Sequence, residues 1–301
     1  MKRRYGTDNK LILTLLCLVF SFIVTQLSLA QDTAPAPKPK MGFNPFQMDP
    51  RAKELTYHFS DTNEDLKYCL FVSSKVSKDK KAPLIVTLHG LGAGPSIMIN
   101  KQAVDLAEEG GYILVAPMGY NERGWYGVPF NIPAGKIPPK TNPENDNAAP
   151  KPKASLFSNP NDPPNLHELS EKDVMNVLDI VRKEYNVDAN RIYLMGHSMG
   201  GAGTLYLGAR YGSIWAAIAP IAPAAFGIEP DILDKIKNMP IIFVHGSTDE
   251  VVSVDISRKW VERARGLNMT YEYNEMEGIT HGPVITAALP SIYDFFGKHS
   301  K

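Results

Sequence analysis

Apolar and polar positions along the chain fall into two regimes that meet near residue 83. Before that point, residues 54–60 and 66–74 are apolar runs of strand length. Asp61, Thr62, Asn63, Glu64 and Asp65 between them have the composition of a hairpin turn. They predict an antiparallel edge. After it, short apolar runs alternate with amphipathic stretches. Strands are predicted over 84–88, 112–116, 192–195, 241–244 and 270–274, with a further apolar run over 215–219. Helices are predicted over 97–109, 170–185, 202–210, 231–237, 255–266 and 284–298. Strands that alternate with helices imply an α/β protein with a mostly parallel sheet covered on both faces. In such sheets the ligand crevice lies beyond the C-terminal ends of the strands.

Three segments stand outside this rhythm. Lys2, Arg3, Arg4 and Lys10 precede an apolar stretch over 11–24, and Ser28, Leu29 and Ala30 form a small-x-small site, the pattern of a cleaved secretory signal over 1–30. An uncleaved membrane anchor is the rival reading. The polar residues Ser21, Thr25, Gln26 and Ser28 count against it, because a span needs about 20 consecutive apolar residues. Residues 31–50 are a Pro-rich spacer, predicted to stay extended as a tether. From Gly119 to His167 the chain carries ten prolines and little periodicity. This reads as an insertion of the 51–301 domain, over about 119–168, that either covers the crevice or is partly disordered. Trp125 and Tyr126 near its start are candidates to line a substrate site.

Composition narrows the partners. Lys and Arg total 32 against 32 Asp and Glu, with no long block of one sign, so no nucleic acid is implied. Loss of the signal leaves 28 basic against 31 acidic residues, a net charge of −3, and no stable membrane span. Cys69 is then the only cysteine, so no internal disulfide can form. Its strand-like surroundings predict a buried, inert thiol.

The chemistry centres on Gly196, His197, Ser198, Met199 and Gly200, between a predicted strand and a predicted helix. There, Gly-x-Ser-x-Gly forms a nucleophile elbow. The turn forces the serine into a strained conformation, and a β-carbon on either glycine would strike neighbouring backbone. Ser198 then stands at a helix N-terminus, and the N–H of Met199 becomes one oxyanion donor. Of seven histidines, His281 follows the last strand and precedes the last helix, so its loop can reach over the elbow as a base. His89 leads the glycine-rich loop, His197 is inside the elbow with its side chain predicted to point away from the nucleophile, and His245 precedes the candidate acid, the wrong chain order for this architecture. His58, His167 and His299 lie on an edge strand, in the insertion and at the tail. The acid is Asp249, one strand before His281. Glu250 is read as a solvated neighbour and Asp255 as a helix N-cap. The order Ser198, Asp249, His281 is that of the α/β-hydrolase arrangement. A second oxyanion donor is predicted at Leu91, in the loop His89, Gly90, Leu91, Gly92 after the first parallel strand. Its spacing matches no phosphate-binding loop.

Together, residues 88–92, 186–201, 245–249 and 280–282 make the chain from about residue 55 onward resemble the secreted α/β-hydrolase serine esterases, of the polyhydroxybutyrate depolymerase-like, feruloyl esterase-like and prolyl-oligopeptidase-like group. The resemblance implies an α/β-hydrolase fold and a serine hydrolase acting on a small or polymer-derived ester. Ser198, Asp249 and His281 would form its triad and Leu91 and Met199 its oxyanion hole. No metal or organic cofactor is implied, and the product would be secreted or periplasmic. The Pro-rich insertion has no counterpart in that pattern. A serine peptidase with the same triad and a non-catalytic polymer-binding protein on the same fold are the alternatives.

Overall fold

A computed structural model describes residues 46–129 and 159–301. The predicted signal peptide, the first part of the spacer and residues 130–158 of the insertion lie outside the described residues.

The strands are β1 (Lys53–Phe59), β2 (Glu64–Val72), β3 (Ala82–Leu88), β4 (Ile113–Pro117), β5 (Val187–His197), β6 (Ala217–Ile221), β7 (Ile241–Gly246) and β8 (Tyr271–Met276). They form one 8-stranded sheet in the order β1-β2-β4-β3-β5-β6-β7-β8. β2 runs antiparallel to both β1 and β4, and every other pair is parallel. The predicted antiparallel edge is thus present, with Asn63 taking the left-handed backbone that closes the hairpin (φ 57°).

The helices are α1 (Lys101–Gly110), α2 (Leu166–Glu184), α3 (Met199–Arg210), α4 (Val254–Gly266), α5 (Val284–Ala287) and α6 (Leu289–Lys298). Successive strand residues face opposite ways. Leu84, Val86, Ile192 and Leu194 therefore join one core with Val177 of α2, Leu205 of α3 and Trp260 of α4. Ile85, Leu114, Tyr193 and Met195 join a second core with Val104 of α1 and Ile292 and Phe296 of α6. Both faces of the sheet are covered, which explains why β4, and β3 apart from Thr87, are apolar along their length.

Several expectations are corrected. The helix predicted over 97–109 is a 3₁₀ turn, Pro95–Met98, followed by α1, because the Asn100 side chain accepts the Ala103 N–H and caps the new helix. Ser253, not Asp255, caps α4, accepting from the Asp255 N–H. The spacer does not run free to residue 50. The Asp49 N–H donates to Ile99 O, its carboxylate holds Arg51, and Asp49 is buried. The ends of the insertion are pinned as well. Arg123 makes a two-pronged pair with Asp162, which also accepts from Asn121, and α2 already begins at Leu166. Cys69 is buried as predicted, and burial pushes its thiol up to about 11. Among the described residues no helix is long and apolar enough to cross a membrane.

Candidate active site

Ser198 joins β5 to α3 with φ 58° and ψ −115°, a strained conformation for a residue with a β-carbon. Its N–H donates to Ile221 O, and its carbonyl accepts from the Ala202 and Ala224 N–H groups, so backbone on both sides holds the turn. The flanking glycines are enforced by contact. A β-carbon on Gly196 would lie 2.3 Å from Gly200 O, and one on Gly200 would lie 2.2 Å from Leu88 O.

The loop after β3 passes directly over this turn: a β-carbon on Gly90 would sit 3.4 Å from Ser198 Cβ. That places Leu91, the predicted donor, one residue beyond the point of contact. The next amides are already used, Gly92 N–H by Glu122 O and Ala93 N–H by Gly90 O. Among the described residues no protein acceptor engages the Leu91 N–H. Met199, at the first position of α3, has an N–H with no intrahelical carbonyl to bond.

Asp249 and His281 come together because the loops after β7 and β8 are laced to each other. Ser247 N–H donates to Met276 O, Thr248 N–H to Ile279 O, and Gly278 N–H to Ser247 Oγ. Gly246 permits the close approach, since a β-carbon there would stand 2.1 Å from Ile279 O. His281 Nδ1–H then donates to Asp249 Oδ2 at 2.6 Å. The other carboxylate oxygen accepts from the Val251 and Val252 N–H groups, each at 2.9 Å. The Asp249 side chain is fully enclosed. Burial by itself would raise its pKa, but hydrogen bonds from His245, His281 and Val252 outweigh burial and hold the carboxyl far below the usual carboxylate range. With Nδ1 protonated, His281 Nε2 carries the lone pair a base needs. Among the described residues no hydrogen bond joins His281 to Ser198 Oγ.

Two further imidazoles surround this pair. His197 does not simply point away from the site. Its ring lies 4.5 Å from that of His281, and its Nε2–H donates to His281 O at 2.9 Å. Burial first, then the neighbouring His281, pushes the His197 pKa down to about 3, so this ring is neutral. His245, fully buried at the end of β7, lies against Asp249 from the other side, with Nε2 3.2 Å from Oδ2. The first contact joins loops distant in sequence, and the second closes within the loop after β7. The only hint of the second is the spacing of His245 four residues before Asp249 at a strand end.

Trp125 and Tyr126 do not line the site. Both are buried in the core, at 2% and 0% exposure. The Tyr126 ring is wedged where β-carbons on Gly119 and Gly203 would meet it at 2.4 and 2.7 Å, and its hydroxyl donates to His89 O. Tyr126 is a strut between α3 and the loop after β3. The buried Asp173 holds its segment by accepting the Gly119 and Tyr120 N–H groups and the Tyr57 hydroxyl. His89 ties the same loop to the next strand end, with Nε2 2.7 Å from Met118 O.

The large apolar side chains exposed among the described residues are Phe46, Phe226 and Val251. Each adjoins a segment of the site. Phe226 follows the loop after β6 whose Ala224 bonds Ser198, Val251 lies two residues past Asp249, and Phe46 is the neighbour of Gly282, next to His281.

Comparison with known proteins bears on the fold and on the family. Residues 161–300 match the phospholipase/carboxylesterase family of α/β-hydrolases. A bifunctional acetylxylan esterase/xylanase from Neocallimastix patriciarum is 37% identical over 81 residues, which is 27% of this chain and 12% of that protein. The chain thus spans only a small part of that curated relative. The structure of a thermostable esterase matches 83% of this chain and 64% of its own, with TM-score 0.61 and 25% identity. A ferulic acid esterase from Anaeromyces mucronatus, solved with ferulic acid, matches 82% of this chain and 90% of its own, with TM-score 0.58 and 18% identity, a likeness of fold.

Proposed function

We propose that this α/β-hydrolase is an exported serine esterase that cleaves carboxylic esters through an acyl-enzyme intermediate. The observation that carries this reading is the 2.6 Å hydrogen bond from His281 Nδ1 to an enclosed Asp249, on the rim of the sheet that also holds a strained Ser198. His281 Nε2 takes the Ser198 proton as Oγ attacks the ester carbon. Asp249 stabilises the imidazolium that forms, and the Leu91 and Met199 amides receive the developing oxyanion. The imidazolium then protonates the leaving alkoxide, and water, deprotonated by His281, releases the acid from Ser198. The steps are proton transfers and acyl transfer, and none calls for a metal or an organic cofactor.

For the substrate, relatives named for acetylxylan and ferulic acid favour acyl esters of a carbohydrate. The exposed Phe46, Phe226 and Val251 offer apolar surface to the acyl group. Export rests on the basic and apolar pattern of residues 1–30.

The test is covalent labelling of Ser198 by a fluorophosphonate, followed by turnover on acetyl, feruloyl, polyester and peptide substrates. Labelling with ester turnover is the expected result. Turnover of the peptide alone would make the protein a peptidase, and failure to label would leave a binding protein on a hydrolase fold.

A further inference from the structure

Asp249 receives a second imidazole that the reaction above does not use. His245 is fully buried, and its ring nitrogens face different partners. Nε2 lies 3.0 Å from Val252 O and 3.2 Å from Asp249 Oδ2, while Nδ1 lies 2.7 Å from Ser257 Oγ on α4. Two oxygens without protons face Nε2, so a lone pair there would be repelled by both, and Nε2 must carry hydrogen. Ser257 can rotate its O–H toward Nδ1, which pins the ring with Nε2 as its donor toward Asp249. The charged and titratable groups around the ring are Asp249 on its own loop, His197 at the end of β5, and Glu275 on β8, which is paired with Arg258.

We propose that His245 is a positioning residue for Asp249: with Ser257 fixing its tautomer, its Nε2–H holds the Oδ2 edge of the carboxylate while the Val251 and Val252 amides hold the Oδ1 edge. The proposal rests on the reading of Asp249 as the partner of His281. Oδ2 is the oxygen that also accepts from His281, so the donor on its far side does two things. It stops the carboxylate from rotating about its bond, and it draws off part of the charge that Oδ2 presents to His281. A residue that serves only as filler would do neither.

The test compares the full-length protein with His245→Leu, His245→Gln and Ser257→Ala, using p-nitrophenyl acetate from pH 5 to 9. His245→Leu removes the donor. Its kcat is expected to fall about 10- to 100-fold, the usual scale for a supporting hydrogen bond, with KM nearly unchanged. The acid limb of its profile should move to higher pH, because Oδ2 now presents its full charge to His281. His245→Gln, whose side-chain N–H₂ can reach the Nε2 position, should recover most of kcat and the original limb. Ser257→Ala should shift the limb in the same direction by less, and it covers the case in which His245→Leu fails to fold. An unmoved acid limb in His245→Leu and in Ser257→Ala, or equal losses in His245→Leu and His245→Gln, would overturn the proposal.

A readout independent of turnover is the low-field proton resonance of His281 Nδ1–H, assigned by its loss in Asp249→Asn. It should shift in His245→Leu and in Ser257→Ala, and an unchanged position would also overturn the proposal. Lack of esterase turnover or fluorophosphonate labelling in the unaltered protein would instead refute the esterase reading, and the resonance would still decide the role of His245.

Discussion

His197 makes acid stability a direct measure of the packing behind the elbow. The ring is 5% exposed, its Nε2–H is committed to His281 O, and its Nδ1 packs on Gly90, whose added β-carbon would stand 3.3 Å away. A second proton on Nδ1 would bring a charge into an enclosed position beside His281. In the unfolded chain the same histidine titrates near ~6.5, against about 3 in the fold. The folded-state value is depressed, so the contribution to stability is fully present above the unfolded value and is lost as pH falls toward the folded one. Across the whole window this amounts to about 5 kcal/mol, of which roughly half is already lost between pH 7.5 and 4.5. His197→Gln keeps a donor for His281 O and removes the titration. Urea unfolding, followed by the fluorescence of the buried Trp125, Trp215 and Trp260, gives the stability of both proteins at the two pH values. The unaltered protein should lose about 2 to 3 kcal/mol more than the variant over that interval. Asp249, also depressed in the fold, acts in the same direction, but only below the unfolded carboxylate value of ~3.9, outside the interval. Equal losses in the two proteins would refute the assignment of His197 as a buried neutral donor.

Further outcomes follow from the same geometry. Ser198→Ala and His281→Ala should each lower ester turnover by about 10⁴-fold or more, with little added loss in the double variant, because the two act as one unit. Additive losses measured by single-turnover kinetics would contradict that coupling. Asp249→Asn should be comparably severe, since it favours the wrong tautomer of His281. Gly246→Ala puts a β-carbon 2.1 Å from Ile279 O, so the loop bearing His281 must recoil by about 1 Å, a displacement that can cost on the order of 10² in turnover. Unchanged kcat there would mean that the two loops are less tightly laced than described. Phe226→Ala removes a 48% exposed ring from the rim and should reduce kcat/KM on a feruloyl ester more than on an acetyl ester while leaving the melting temperature within about 2 °C. Equal effects on the two esters would remove Phe226 from the acyl site.

What could be read from the sequence was whatever depends on short-range pattern. Apolar runs bounded by turn residues gave away β3, β4 and β7, because strands buried on both faces tolerate almost no polar side chain. Ser198, Asp249 and His281 could be named because each stands beside small residues at a strand end, and their order along the chain suits one architecture. Local side-chain competition already shifted boundaries: Asn100 cuts a predicted helix in two, and Ser253 takes the cap expected of Asp255.

The remaining features depend on residues far apart in the chain. Tyr126 looked like a ligand-facing aromatic because an aromatic after a strand end can face solvent or core equally well. The direction was decided by space beside Gly119 and Gly203 and by the anchoring of its segment on Asp173. In the same way, His197 against His281 and His245 against Ser257 of α4 are contacts made only when separate elements meet at one rim of the sheet. A histidine's identity is written in the sequence. Its tautomer, charge and partner are set by which oxygens the fold brings to its two nitrogens, and those oxygens come from loops that have no periodicity of their own.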